Sequence, residues 1–182
     1  MSQRISGFKR LPSEGYNTIE AWPVRALLTH LPMRSAWDPC EGDGNLLAAL
    51  QSYGVEAVGT SHDFFTIRTP PVEVDAVVMN PPYGEQRRGE LAVRFLEHAL
   101  TLPVQYIVAL LPIDFDSAIG RQHLFRQCPT FTGKIVLLGR LRWIPDSTGS
   151  PSTNHCWLLW DRANVEAPMI RYASKYDQNG MP

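Results

Sequence analysis

The run with the most chemistry in it is Asn80-Pro81-Pro82-Tyr83. Two consecutive prolines stiffen the backbone and remove two N–H donors, so the local carbonyls are left to accept from an incoming group. Asn80 adds a side-chain acceptor, and Tyr83 adds a flat aromatic face able to stack on a base or an amide. Such a loop suits a planar NH2 group. As a bare tetrapeptide it could also be a proline turn, but it follows directly on the apolar, β-branched run VDAVVM at 74–79. That run reads as a strand buried on both faces, so the loop opens at a strand's carboxyl end.

A second constellation lies upstream, Asp38-Pro39-Cys40-Glu41-Gly42-Asp43-Gly44, between a strand-like and a helix-like segment. Glycines let the chain turn tightly and approach a ligand, and a helix N-terminus offers unpaired N–H groups. The spacing is neither the G-x-G-x-x-G of a dinucleotide loop nor the Gly-Lys-Ser/Thr ending of a phosphate loop. Acidic residues around the turn suit a ligand with a cationic amine and hydroxyls better than a pyrophosphate. Taken alone, the segment is as readily an ordinary tight turn.

The elements that must position these loops read as an alternation. Residues 18–31 carry Ile19, Trp22, Ala26, Leu27 and Leu31 near helical spacing, with Thr18 as the expected cap and Pro23 early enough to be tolerated. A strand then leads into the glycine turn. The next helix has Leu46, Leu47, Leu50 and Tyr53 as its expected buried face and stops at Gly54, ahead of a second strand. After VDAVVM and its loop, 88–100 is helical by the spacing of Ala92, Phe95, Leu96 and Ala99, and 104–111 is strand-like. A further helix is expected near 117–127. The runs at 134–143 and 155–161 read as an antiparallel strand pair, with the turn-rich IPDSTGSPSTN between them as a surface loop. The tail after Trp160 shows little periodicity. Strands alternating with helices predict an α/β domain with a mostly parallel sheet, whose ligands bind at the carboxyl edge.

Size and composition narrow the class. With 182 residues and no linker or repeat, the expectation is one domain over 1–182 without a separate target-recognition module. No apolar run is long enough to span a bilayer and the N-terminus lacks a signal-like apolar core, so the cytoplasm is the expected compartment. Cys40, Cys128 and Cys156 are odd in number and widely spaced, and the histidines form no ligand-like pairs. Neither a disulfide framework nor a metal site is expected. A net charge of −1 argues against coating nucleic acid by bulk electrostatics, so any such contact must be local. Arg87-Arg88, Lys134, Arg140 and Arg142 are candidates for gripping phosphates and equally for ordinary surface charge. Cys40 reads as turn packing rather than as a nucleophile.

Together the two loops resemble those of class I S-adenosylmethionine-dependent methyltransferases acting on exocyclic or amide nitrogen, most closely the small phage-type adenine DNA methyltransferases. The resemblance runs from about Tyr16 to Asp161. It implies a Rossmann-like α/β fold, with a mostly parallel seven-stranded sheet, an antiparallel last strand and helices on both faces. It also implies S-adenosyl-L-methionine as cofactor. Asn80, Pro81, Pro82 and Tyr83 would hold the target amine, and Asp38, Pro39, Cys40, Gly42 and Gly44 would bind the donor. Tyr16 and Thr18 resemble the family's extra N-terminal donor motif, and Arg140, Trp143, Ser150-Pro151 and Trp157–Trp160 are similar to its late pattern. One departure stands out. The family's second strand usually ends in an acid that binds the donor's ribose, whereas here Thr60 and Ser61 come first; Asp63 and Phe64 then match the family's next motif, near the donor's adenine.

On this reading the substrate is adenine N6 in DNA and the partner is nucleic acid, with no membrane. The same loop occurs in enzymes that methylate ribosomal RNA or a protein glutamine amide, and a binding module that has lost the donor is a further alternative. Target selection is expected from loops near 84–90 and 144–154, from a homodimer, or from a partner protein.

Overall fold

The computed structural model describes residues 20–61, 63–83, 89–142 and 153–177. In chain order the elements are α1 (Trp22–His30), β1 (Ser35–Asp38), α2 (Asn45–Ser52), β2 (Glu56–Gly59), β3 (Ala76–Met79), α3 (Glu90–Ala99), β4 (Tyr106–Pro112), β5 (Phe131–Leu138), β6 (His155–Asp161) and β7 (Met169–Ser174). The strands form one sheet in the order β2-β1-β3-β4-β6-β5-β7. β2, β1, β3 and β4 pair in parallel, β6 runs antiparallel to both β4 and β5, and β7 pairs in parallel with β5.

The sheet has an apolar layer on each face, because alternate residues of a strand point to opposite sides. Ala36, Val78, Leu110 and Trp157 pack on one side against Trp22, Val24 and Leu27 of α1 and Leu46 and Leu50 of α2. Trp37, Val77, Met79, Ile107 and Trp160 face the other way, against Ala92, Phe95, Leu96 and Ala99 of α3. The central strand β3 is buried along its whole length, as VDAVVM led one to expect. Arg162, just past β6, donates to the carbonyls of Leu100, Leu102 and Val104 and so pins the connection between α3 and β4.

Several expectations are corrected. The first helix begins at Trp22 with Ala21 at its cap position and no side-chain cap bond; Thr18 lies outside the described residues. Tyr53 does not join the buried face of α2, for it follows the helix and is 39% exposed. No α-helix forms over 117–127. Short 3-10 turns at Phe115–Ser117 and Ile119–Arg121 take its place, because Ile119 is left exposed and Gly120 weakens the segment. Only Leu124 and Phe125 are buried there, too narrow an apolar face to hold a helix down. β5 starts three residues before the expected run and ends at Leu138. The antiparallel strand is β6, and it is not the last one. β7 follows it, from the tail that shows little periodicity.

Candidate functional site

The chain leaves β1 for β2 on one side and then crosses back to place β3 on the other. This reversal opens a crevice outside the carboxyl ends of β1 and β3, the place where open α/β sheets bind ligands. The two loops singled out in the sequence both emerge there. Pairing of Trp37 with Val77 sets β1 and β3 in register, which brings Cys40 level with Asn80. The Cys40 thiol donates to the Asn80 carbonyl at 3.5 Å, a direct tie between the loops. Burial, and after it the neighbouring Asp38 carboxyl, push the Cys40 thiol well above its ordinary pKa. It is a protonated packing group rather than a thiolate.

The glycine turn is built as a backbone cradle. Gly42 and Gly44 hold φ of 53° and 77°, conformations open to glycine at little cost. The Gly44 N–H donates to the Glu41 carbonyl at 2.8 Å, and Gly44 caps α2. A Cβ built on Gly44 would meet no atom within 4 Å, so the space beside this backbone is open to a ligand. Behind the turn, the Asp38 side chain is 1% exposed and accepts from the Cys40 N–H at 3.1 Å. Its main-chain carbonyl accepts from Thr60 N at 3.0 Å and ties the turn to the end of β2.

Burial raises the Asp38 carboxyl to about 7, against a lowering by the Cys40 N–H bond. A folded-state pKa above the ordinary carboxyl value means that the folded protein takes up a proton more readily than the unfolded chain. Asp38 therefore contributes stability that is full below about pH 4 and lost as the pH rises through about 7. Compared with Asp38→Asn, the parent should lose about 2–3 kcal/mol between pH 5 and pH 8, read from urea unfolding of both proteins at each pH. Parallel pH profiles for the two would show that the carboxyl titrates normally.

In the second loop, the Tyr83 hydroxyl donates to Asn80 Oδ1 at 3.3 Å and lies 3.4 Å from the Leu110 carbonyl. Both contacts are longer than an ordinary O–H···O bond, so an incoming NH2 donor can replace them at small cost. Pro81 is buried, whereas Asn80, Pro82 and Tyr83 are half-buried at the crevice.

The segment after β2 is less open. Asp63 Oδ1 accepts from Phe65 N at 3.1 Å and caps a short 3-10 turn. Phe64 is 2% exposed, its ring 5.1 Å from Phe95 and edge-on to Trp37 at 5.7 Å. Phe64 thus sits in the apolar layer beside α3, the same cluster against which Cys40 and Tyr83 pack. Among the basic candidates, Lys134 is paired with Asp116 at 2.8 Å and also donates to the Ile113 carbonyl at 3.2 Å, while Arg140 donates to Asn154 at 3.2 Å. Tyr16, Thr18, Arg87, Arg88, Trp143, Ser150 and Pro151 lie outside the described residues.

Three features of the site escaped the sequence reading: the thiol tie, the bond from Trp37 Nε1 to Thr60 Oγ1 at 3.0 Å, and the Glu41 side chain lying across Gly59. All three are contacts between strand ends, which no local pattern marks. A cavity of about 300 Å³ opens at the other edge of the sheet, beside Tyr106, Thr132 and Asp161, and neither loop reaches it. Among the described residues, no helix is long and apolar enough to cross a membrane, and no three His, Cys, Asp or Glu side chains are placed to hold a metal ion.

Neither a protein-family model nor a curated protein sequence matches the chain. Solved structures do. A candidate class I S-adenosylmethionine-dependent methyltransferase from Listeria monocytogenes superposes on 85% of the chain with a TM-score of 0.51 at 14% identity. A modification subunit of a candidate type I restriction enzyme from Vibrio vulnificus superposes on 90% with a TM-score of 0.53, also at 14% identity. The type IIG restriction endonuclease BpuSI superposes on 79% with a TM-score of 0.51 at 15% identity. The matched regions span 62%, 48% and 24% of those chains, respectively. The chain therefore has the class I methyltransferase fold.

Proposed function

We propose that this chain is an S-adenosylmethionine-dependent methyltransferase that methylates the exocyclic N6 of adenine in DNA. The observation that carries the reading is the meeting of two loops at the switch point: the cradle at Asp38–Gly44 and the amine receptor at Asn80–Tyr83, tied through Cys40. The open space beside Gly44 admits a ligand close to the backbone, the N-terminus of α2 suits the donor's carboxylate, and the acids of the turn suit its cationic amine. DNA is favoured as the substrate class because two proteins sharing the fold belong to restriction enzymes, systems that act on DNA.

When bound, S-adenosylmethionine supplies a methyl group made electrophilic by its sulfonium. The chain's own task is alignment. The target amine's lone pair is delocalised into the purine ring, and hydrogen bonds from its two N–H groups to Asn80 Oδ1 and the Pro81 carbonyl favour a pyramidal nitrogen. The amine's surplus proton after transfer goes to water. In duplex DNA the base must leave the stack, and Tyr83 is its stacking platform.

The deciding experiment incubates purified protein with labelled donor and separate DNA, RNA and protein fractions, followed by nucleoside mass spectrometry. N6-methyladenine in the DNA fraction is the expected product. Label confined to RNA or to glutamine would move the same chemistry to those substrates, and no donor binding in calorimetry would leave only a binding module. Tyr83 gives a finer prediction. Tyr83→Ala should cost about 1–3 kcal/mol of base capture, raising KM and slowing turnover, because a stacking face is lost. Tyr83→Phe keeps the face and frees Asn80 Oδ1 of its bond to the phenol, so much of the activity should remain. Equal loss in both variants would assign the role to the hydroxyl instead.

A further inference from the structure

The donor's ribose carries two vicinal hydroxyls, and the natural protein partner for such a pair is a carboxylate, whose two oxygens accept both bonds. The end of β2 is the strand end beside the cradle, and its own residues Gly59, Thr60 and Ser61 include no acid. Of the other acids nearby, Asp38 has its carboxyl buried beneath the turn on the Cys40 N–H, Asp63 uses one carboxyl oxygen to cap the 3-10 turn at Phe65 N, and Asp43 is exposed on the turn. The Thr60 hydroxyl already accepts from Trp37 Nε1.

Glu41 is different. Its side chain folds out of the β1 turn and across the end of β2, where the missing side chain of Gly59 leaves room. A Cβ built on Gly59 would collide with the Glu41 carboxylate, the carboxyl carbon lying 2.9 Å away and the Glu41 Cβ 3.0 Å away. Gly59 is in ordinary extended strand, so glycine there serves space rather than backbone conformation. Glu41 is half-buried, with its carboxylate between the carboxyl ends of β1 and β2.

We infer that Glu41 is the residue that receives the donor's ribose hydroxyls, a carboxylate supplied by the β1 turn to a β2 end that lacks its own. The inference rests on the methyltransferase reading above. Gly59 is the counterpart of this arrangement: any side chain there evicts Glu41.

Calorimetry with S-adenosylhomocysteine, which has the donor's ribose but no methyl to transfer, tests this without a turnover assay. Glu41→Gln should weaken binding roughly ten- to hundredfold, the usual worth of hydrogen bonds to a charged acceptor. Gly59→Ala should weaken it comparably, since alanine suits the strand but displaces the carboxylate. With a 2′,3′-dideoxy analogue of the same ligand, parent and Glu41→Gln should bind alike. Undiminished binding of S-adenosylhomocysteine by Glu41→Gln would overturn the inference and leave the methyltransferase reading standing, as would an equal loss with the dideoxy analogue. Failure of the parent protein to bind S-adenosylhomocysteine would overturn both.

Discussion

Replacing Asn80 by alanine is expected to slow methyl transfer on the order of a hundred- to a thousandfold, while donor affinity stays close to that of the parent. A single preorganised hydrogen bond to a group whose charge develops in the transition state is worth about 3–4 kcal/mol, and the Asn80 oxygen is proposed to make one. The fold should tolerate the change. The contact from the Tyr83 hydroxyl to Asn80 Oδ1 is long, and that hydroxyl lies 3.4 Å from the Leu110 carbonyl as well. A hydrogen bond of this kind is worth about 0.5–1.5 kcal/mol of stability, and thermal melting of the variant checks that the fold survives. Single-turnover rates with DNA, set beside calorimetry with the donor, separate the two effects. Methylation at the parent rate would reduce the loop to a proline turn, and the proposed function would fall with it.

The parts of this molecule that could be read from the chain are those whose signals are local. VDAVVM announces a central strand because both its faces are buried, and α3 announces itself because Ala92, Phe95, Leu96 and Ala99 share one side of a helix. The glycine turn and Asn-Pro-Pro-Tyr stand out because their backbone demands are unusual. β7 is an edge strand with Met169, Ile170 and Tyr172 facing solvent, so its apolar residues follow no buried alternation and its pairing with β5 is a long-range event. The false helix at 117–127 is the converse case. Its local spacing was adequate, but the tertiary structure buries only Leu124 and Phe125 and anchors the segment otherwise, through Arg121 bonded to the Phe115 carbonyl at 2.9 Å.

The site divides along the same line. Residue types in each loop were legible, whereas the contact between the loops follows only from strand order. Asn80 meets Cys40 because β3 lies beside β1, although 40 residues separate them. Phe64, expected near the donor's adenine, packs its ring against Phe95 and His98. The acid expected at the end of β2 is absent from that strand in the sequence, yet a carboxylate reaches the position from the neighbouring turn.

The turn that carries this carboxylate also bears the second large expected effect, the loss of donor binding on substitution of Gly44. At φ of 77° a valine is strained by about 1–2 kcal/mol, enough to lower the melting temperature by about 2–8 °C in a protein of this size. Asparagine tolerates that conformation and is a favoured residue at the start of a helix, where Gly44 stands as the cap of α2. Gly44→Asn should thus melt near the parent, and Gly44→Val below it. Apart from its chain neighbours, no atom of the described residues lies within 4 Å of the added Cβ, so the first atom of either side chain enters open space. Any side chain there enters the space proposed for the donor. Both variants should then bind S-adenosylmethionine at least about a hundredfold more weakly, as binding that depends on close backbone approach does not survive an interposed side chain. Affinity is read by calorimetry and stability by thermal melting on the same samples. If Gly44→Asn keeps the parent affinity, the turn is a structural feature and the donor binds elsewhere; if affinity falls only in step with melting temperature, strain rather than obstruction accounts for it.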